Sequence, residues 1–260
     1  MASIAAPTGV VTSREFSKYT GVVALGLALM GAAVVVVVAA GLIAGQSMGD
    51  DAQVFAIAFV AAAVGAVAVW RFGTIGKVVG LLATLVVLSQ VFWLVFSMFQ
   101  PTSFGDFSAG VMFFVGTVYS LGWGIAGLVR RNRMETAPTR GETRMIRGAL
   151  VVVALAMVAS AVLQVTSRTT VDAAAAGGAT KVTQSNFEFA PASYDVAAGT
   201  ASFLVHNSDA FTHDFVVEAL GVSELLTPGS EKLVEVTAKP GEYKILCTLH
   251  PDMEAALTVK

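Results

Sequence analysis

Two hydrophobic patterns divide this chain of 260 residues. Between residues 20 and 167, long apolar stretches run without alternating polar positions. From Lys181 onward, apolar and polar positions alternate with period two, and turn residues such as Pro191 and Gly199 separate the short segments. The first pattern is typical of buried or membrane-spanning helices and the second of β-strands. We therefore predict a helical region followed by a β-domain, which we expect to be an antiparallel sandwich or barrel.

Five apolar runs make up the helical region. They are Gly21–Gly45, Gln53–Trp70, Val78–Phe99, Phe107–Val129 and Ile146–Val165, and Arg147 is the one charged residue within them. A helix needs about 20 apolar residues to cross roughly 30 Å of hydrocarbon, so each run is predicted to span a membrane. The first run is longer than the h-region of a cleaved signal peptide, about 7–15 residues, which favours an uncleaved helix.

The composition supports a membrane protein. Hydrophobic residues make up 55% of the chain and charged residues 13%, whereas soluble domains average about 45–50% apolar and about 25% charged residues. The excess of apolar residues lies in the five runs. Small residues at Gly116, Ser120 and Gly124 recur every four positions of the fourth run, which predicts close contact with a neighbouring helix.

The distribution of basic residues predicts the orientation in the membrane. Ten of them precede the first run or border the loops after the second and fourth runs: Arg14, Lys18, Arg71, Lys77, Arg130, Arg131, Arg133, Arg140, Arg144 and Arg147. The loops after the first and third runs contain none, and the former carries Asp50 and Asp51. Basic loops stay on the cytoplasmic side, so residues 1–20 are predicted to be cytoplasmic.

This orientation also predicts the domain organisation. Five crossings by residues 21–167 place the rest of the chain outside the cytoplasm. Residues 168–180 consist mainly of small residues, including Gly177 and Gly178, and are predicted to form a flexible tether. Residues 181–260 are predicted to form the extracytoplasmic domain.

The segment CTLHPDM near the C-terminus suggests metal chemistry. It places the single cysteine, Cys247, three residues before His250 and six before Met253. A free thiol outside the cytoplasm is open to oxidation unless something protects it. Two imidazoles, one thiolate and a weak axial thioether are the ligand set of a blue copper site, and His213 offers the second imidazole. The plainer interpretation is a buried cysteine beside a core methionine. We interpret His206, in FLVHN beside a turn, as structural or exposed.

Residues 181–260 resemble the cupredoxins of the plastocyanin and amicyanin kind. The resemblance rests on FEFAP, AAGTASFLVHN, THDF, KPGEY and CTLHPDM, and the short spacing of the last segment is similar to that of amicyanin. It implies an all-β Greek-key sandwich with one type 1 copper, bound equatorially by His213, Cys247 and His250 and axially by Met253. Family members often carry Asn after the first ligand histidine. Asp214 stands there in this chain, which leaves the rigidity of the copper surroundings open.

The small number of cysteines and histidines limits the kinds of metal chemistry that the chain can support. A binuclear copper centre needs a second cysteine, and multicopper oxidases and copper nitrite reductases need further copper ligated by histidine. Beyond the predicted site only His206 remains, and no histidine precedes it that could bind haem in the helices. We therefore expect an electron carrier rather than an enzyme, or a non-catalytic subunit of an oxidoreductase complex. The expected electron port is the edge of His250, framed by Leu249 and Pro251.

Charge indicates the kind of partner. Residues 181–260 hold 5 lysines and no arginine against 11 acidic residues, a net charge of −6. An acidic carrier associates with basic surfaces, so we expect a c-type cytochrome or an oxidase subunit of a respiratory membrane complex as partner, and no nucleic acid. Two alternatives stay open: a copper chaperone or sensor, and a structural subunit with a vestigial copper site.

Overall fold

The computed structural model describes residues 16–17, 19–43, 51–130, 134–135, 139–250 and 252–260. Some residues on which the predictions depend lie outside these ranges, namely Arg14, Lys18, Asp50, Arg131, Arg133 and Pro251. The described chain forms a helical region followed by a β-domain, as the hydrophobic pattern predicts.

In the described part of the first region there are five helices, and four of them are long. They are α1 (Thr20–Ile43), α2 (Asp51–Val91), the single-turn α3 (Leu94–Ser97), α4 (Phe104–Val129) and α5 (Arg140–Thr166). Within the described residues, α1, α2, α4 and α5 are long and apolar enough to cross a membrane, judged by length and composition alone. Two short strands, β1 (Phe16–Ser17) and β2 (Met134–Glu135), pair with each other beside this region.

Helix α2 contains both the second and the third predicted run, and it folds back on itself between them. Phe72 (φ −118°, ψ 18°) and Gly73 (φ 53°, ψ −119°) interrupt the helical backbone. A Cβ atom on Gly65 would lie 2.6 Å from the Cβ of Ala83, although 18 residues of straight helix would separate these positions by about 27 Å. Residues 51–71 and 74–91 are therefore two antiparallel arms, and the positive φ at the break suits glycine.

Small residues let α1 and α4 pack with their backbones in contact. A Cβ on Gly26 would lie 2.7 Å from the carbonyl oxygen of Gly116 and 2.6 Å from the amide nitrogen of Ser120. One on Gly124 would lie 2.8 Å from Leu81 in the second arm of α2. The predicted role of the small residues in α4 is confirmed.

Helix α5 begins six residues before the predicted run. Thr139 caps its first turn, because the Thr139 hydroxyl accepts a hydrogen bond from the Glu142 amide (3.2 Å) and the Glu142 carboxylate accepts one from the Thr139 amide (2.8 Å). This capping box satisfies amide groups that a helix start leaves unpaired. The helix therefore includes residues 140–145, a segment that hydrophobicity alone assigns to a loop.

The β-domain is a sandwich of two mixed sheets. Its strands are β3 (Thr180–Ser185), β4 (Glu188–Ala190), β5 (Ser193–Val196), β6 (Gly199–Asn207), β7 (His213–Val217), β8 (Val222–Leu226), β9 (Glu231–Ala238), β10 (Gly241–Leu246) and β11 (Glu254–Val259), with a 3-10 turn at Glu218–Leu220. The sheet orders are β5-β11-β10-β7-β8 and β4-β3-β6-β9.

The sandwich is not purely antiparallel, so the expectation drawn from the strand pattern is wrong on this point. Strand β3 pairs with β6, and β5 with β11, in parallel. The reason is that alternation along a strand reports which face is buried and carries no information on the direction of its neighbour. The buried faces meet in one core, where Phe203, Phe215 and Leu257 have no exposed surface.

Among the described residues, two groups of hydrogen bonds connect the β-domain with the helices and the segment that follows them. Just after α5, the Thr169 amide donates to the Ser230 hydroxyl at 3.2 Å, and the Glu231 amide at the start of β9 donates to the Thr169 carbonyl at 2.8 Å. The loop between β6 and β7 meets the N-terminus of α4, where the Ser103 hydroxyl donates to the carbonyl of Ala210 at 3.1 Å.

Candidate metal centre

Three strands bring the candidate ligands to one end of the sandwich. His213 is the first residue of β7, and Cys247 follows the last residue of β10. Strand β10 lies between β7 and β11 in the sheet. The start of β7 and the loop from β10 to β11 therefore lie next to each other at the same end of the sandwich. Residues far apart in the sequence thus become neighbours.

A tight loop places His250 beside Cys247. The Cys247 amide donates to the carbonyl of Met253 (3.0 Å), the Met253 amide donates to the carbonyl of His250 (2.9 Å), and the His250 amide donates to the carbonyl of Cys247 (3.3 Å). These bonds close the loop between β10 and β11. They also account for the spacing of CTLHPDM, because each predicted ligand in the loop takes part in its backbone hydrogen bonds.

The side chains form a compact donor set. Cys247 Sγ lies 3.8 Å from His213 Nδ1 and 3.5 Å from His250 Nδ1, and the three ligand atoms all lie within 4.8 Å of one another. Bonds of about 2.0 Å to nitrogen and about 2.3 Å to sulfur, the lengths found at zinc sites, place these atoms about 3.7 Å apart when the bonds diverge by 120°. The observed separations therefore fit a single transition-metal ion, and two imidazoles with one thiolate suit copper.

The site is enclosed on most sides. His213 is fully buried, and Cys247 and Met253 are each 1% exposed, whereas His250 is partly exposed. Beside it, Leu249 and Phe187 are each 38% exposed. The edge of His250 is thus the side of the centre nearest to solvent, next to one of the two residues predicted to frame it.

An acidic residue that the sequence did not reveal orients His213. Asp209 Oδ2 lies 2.7 Å from His213 Nε2, which leaves Nδ1 facing Cys247. Asp209 also accepts hydrogen bonds from the amides of Asn186 (2.7 Å) and Phe187 (3.2 Å). Burial alone would raise the pKa of this carboxyl, but the hydrogen bonds from His213 and the two amides hold it below its ordinary value. Carboxylates commonly orient metal-binding histidines in this way.

Asp214 answers the question left open by the sequence. Its carboxylate accepts hydrogen bonds from the amide of Thr248 (2.7 Å) and from the Thr248 hydroxyl, while its own amide lies 3.5 Å from Cys247 Sγ. Asp214 therefore joins β7 to the loop that carries Cys247 and His250. The Asp214 carboxylate also adds a negative charge that acts on the thiol.

Burial controls the protonation of two candidate ligands. It raises the pKa of the Cys247 thiol to about 11, and the Asp214 carboxylate adds to this rise while the Asp214 amide opposes it. Burial also lowers the pKa of His250 to about 4, with repulsion from His213 acting in the same direction. Near pH 7 the metal-free centre therefore holds a thiol and, at His250, a neutral imidazole ready to bind a metal.

Phe187 links the metal centre to the helices. Its backbone adopts φ 59°, a left-handed conformation that is uncommon for a bulky residue. Its ring lies 4.8 Å from that of His250 and is stacked at 5.6 Å on that of Phe211. Phe211 belongs to the apolar cluster formed by α1, α2 and α4.

The structure brings some of the predicted site residues together and places His206 elsewhere. Among the described residues, His213, Cys247 and His250 form one cluster of candidate metal ligands, and Met253, at the end of the loop that begins with Cys247, is buried. His206 lies elsewhere on the surface, with Nδ1 3.5 Å from the carboxylate of Glu231. Asp209 and Phe187 are the neighbours that sequence reasoning missed. The one signal for Asp209 is its place four residues before His213.

Comparison with known proteins supports the assignment of the second region. No curated protein matches the chain. Similar solved structures include a reduced amicyanin variant (22% identity, TM-score 0.28, 32% of this chain and 83% of the other) and the amicyanin of Paracoccus versutus (18%, 0.28, 32% and 83%). A copper-containing nitrite reductase from Thermus scotoductus SA-01 is also similar (24%, 0.26, 36% and 27%). Residues 149–259 match the cupredoxin-like domain family, a range that begins within α5 and includes the strands of the β-domain, so this part of the chain carries a cupredoxin-like domain.

Proposed function

We propose that this chain is a membrane-anchored type 1 copper protein that passes single electrons on the extracytoplasmic side of a membrane. The observation that carries the proposal is the arrangement of His213, Cys247 and His250, whose ligand atoms lie within 4.8 Å of one another at the end of a cupredoxin-like sandwich. The separations suit one metal ion, and the thiolate with two imidazoles suits copper.

Four side chains would bind the metal, and two others position them. His213 Nδ1, Cys247 Sγ and His250 Nδ1 would bind it, and Met253 would add its thioether as a weak fourth ligand. Asp209 keeps the ring of His213 in its binding orientation, and Asp214 holds the loop of Cys247 against β7. When bound, copper supplies a site that takes up and releases one electron. A ligand set enclosed on most sides favours this role, because little has to move when the charge changes.

The helical region supports attachment to a membrane. Large apolar side chains are exposed along α2 and α5, for example Val64 (56%), Leu82 (58%) and Leu155 (64%), and an apolar surface of this extent is unfavourable in water. The antiparallel arms of α2 add one reversal of the chain, which supports the proposal of five crossings. Ten basic residues precede the first helix or lie beside the loops on the same predicted side, which supports an extracytoplasmic β-domain.

The partly exposed edge of His250 is the electron port of this proposal, with Leu249 beside it. The acidic surface of the β-domain, with 11 acidic residues against 5 lysines, favours a basic redox partner. A c-type cytochrome or an oxidase subunit within a respiratory membrane complex has the required chemistry.

A second function, copper handling, is favoured by one specific observation. The pKa of Cys247 is raised to about 11, so protonation competes with metal binding, as a site that has to release copper would require. A chaperone would hand Cu(I) to an acceptor, whereas an electron carrier keeps its copper in both oxidation states. A structural subunit with a vestigial site would bind no copper at all.

The test uses the full-length protein purified in detergent and supplied with copper. We expect one copper per chain and an intense visible absorption from charge transfer between the thiolate and Cu(II). Cys247→Ser is expected to abolish this absorption, because a hydroxyl does not replace the thiolate. His206→Asn is the matched control, since His206 lies outside the metal cluster, and it should leave the absorption unchanged. Wild-type protein that stays colourless, or copper content unaffected by Cys247→Ser, would overturn the proposal.

A further inference from the structure

The loop that precedes the first metal-binding residue is attached to the helical region. We define residues 208–212 as the docking loop, which ends directly before His213. Phe211 in this loop is 6% exposed and packs into the apolar cluster of α1, α2 and α4. A Cβ on Gly105 of α4 would lie 3.5 Å from its ring. The loop is thus anchored in the helices by an aromatic side chain.

Two hydrogen bonds from the N-terminus of α4 reinforce this anchor. The Ser103 hydroxyl donates to the carbonyl of Ala210 at 3.1 Å, and the Thr212 amide donates to Asp106 Oδ2 at 3.3 Å. Ser103 also caps α4 by accepting a hydrogen bond from the Asp106 amide. The contact with Thr212 therefore lies one peptide unit away from the metal-binding histidine.

The opposite side of the docking loop holds the metal centre. Asp209 in the loop bonds to His213 Nε2 at 2.7 Å. The Asn207 side chain donates to the carbonyl of Phe211 at 2.9 Å and to that of Leu226 at 3.0 Å, and both bonds are buried. A movement of Phe211 or Thr212 would therefore be transmitted directly to the groups that orient the His213 ring.

A membrane anchor alone does not require this arrangement. Helix α5 already joins the β-domain covalently, and Thr169 fastens the connection to β9. Contacts that served attachment only could involve any surface of the sandwich. Instead, those of α4 are made with the loop that leads into His213, at the end of the domain where the metal ligands lie.

We propose that the helical region forms part of the scaffold of the copper site, with Asp106 and Phe211 as positioning residues that act on His213 through the docking loop. The proposal rests on the proposed function in so far as the metal is copper. Asp106 fixes the backbone of Thr212, and Phe211 fixes the loop against the helices. The membrane-embedded helices thereby help to determine how firmly copper is held.

The experiment compares variants of the full-length protein in detergent by two measurements. The first is hydrogen exchange of the Thr212 amide in metal-free protein, where Asp106→Ala should accelerate exchange by about tenfold or more, because a hydrogen bond to a charged acceptor is lost. The second is the rate at which a chelator removes copper. Here Asp106→Ala and Phe211→Ala should each give an increase of about tenfold or more, as expected when support of a ligand is lost.

Conservative and control variants separate this role from a general effect on stability. Asp106→Asn keeps an oxygen acceptor and should restore most of the protection of Thr212. Asp195→Asn removes an exposed carboxylate that pairs with Lys260 and matches the charge change. Leu233→Ala shortens a side chain that is 37% exposed. Both controls should leave exchange at Thr212 and the rate of copper loss unchanged.

The outcomes distinguish the two proposals. If wild-type protein binds no copper, the proposed function fails, while exchange at Thr212 still tests the attachment of the loop. If wild-type protein binds copper but Asp106→Ala and Phe211→Ala leave both measurements unchanged, the scaffold proposal is overturned and the copper proposal stands. A lower thermal stability of these variants without faster copper loss also overturns it, because that result identifies a structural contact only.

Discussion

Acidification should weaken copper binding by about tenfold per pH unit, because Cys247 has to lose a proton. Burial raises the pKa of its thiol from 9.0 to about 11 and lowers the pKa of His250 from 6.5 to about 4. In metal-free protein near neutral pH, the thiol therefore keeps its proton and His250 is already neutral. A metal binds the thiolate and the neutral imidazole, so binding releases the proton of Cys247 and none from His250.

The two pKa values give the size of the effect. From about pH 5 to about pH 10, protonation of one thiol reduces the apparent affinity about tenfold for each unit of pH lost, so a fall from pH 8 to pH 6 weakens binding about 100-fold. The rise of two units in the thiol pKa corresponds to about 3 kcal/mol against the thiolate. Below about pH 4, protonation of His250 should make the dependence steeper.

The same shifts predict the stability of the metal-free fold. Unfolded His250 takes up a proton below about pH 6.5, whereas the folded residue does so only below about pH 4, so the contribution of His250 to stability falls as the pH drops through this window. The folded thiol keeps its proton up to about pH 11, whereas the unfolded thiol loses it above about pH 9. Stability therefore also falls as the pH rises from about 9 to 11.

The assay is a competition titration with a Cu(I) chelator whose own pH dependence is known, together with proton release in weakly buffered solution. His206→Asn serves as control, because His206 lies outside the metal cluster, and it should keep the same slope. An affinity that does not change between about pH 6 and pH 9, or copper binding without release of a proton, would refute the reasoning.

Three further substitutions test the packing and the metal surroundings. Gly26→Val should disrupt the helical region, because its Cβ would lie 2.6 Å from backbone of α4, whereas Gly122→Ala meets nothing within 4 Å and should be tolerated in a detergent stability assay. Phe203→Ala removes a fully buried ring and should cost about 3–5 kcal/mol in the unfolding free energy of the β-domain, so an unchanged midpoint would contradict the core assignment. Asp214→Asn removes the charge that repels the thiolate, so the pKa of Cys247, followed by thiolate absorption, should fall; a rise would contradict the assigned electrostatics.

The sequence predicted the architecture and the cluster of ligands for physical reasons that act locally. Apolar runs report helices that need no polar face, and period-two segments report strands. The spacing from Cys247 to His250 fits one tight loop, so two ligands could be recognised together. His213 could be added because a lone cysteine outside the cytoplasm calls for partners, and the chain has only three histidines.

Other features depend on tertiary contacts and left little trace in the pattern. Asp209 is a loop residue like any other until folding brings it to His213. The parallel pairing of β3 with β6 is invisible to alternation. Asp106 reads as a polar residue at a helix start, and its bond to Thr212 spans 106 positions of the chain. The reversal at Gly73 was signalled by the polar segment around it, but the contact between the two arms was not.

The central claim is that this site keeps copper while its oxidation state changes. The most direct measurement follows copper content and visible absorption of the full-length protein through repeated reduction and reoxidation in the presence of a Cu(I) chelator. The account predicts that the absorption disappears and returns in full, with one copper per chain retained throughout. Loss of copper to the chelator on the first reduction would contradict electron transfer and identify copper delivery as the function.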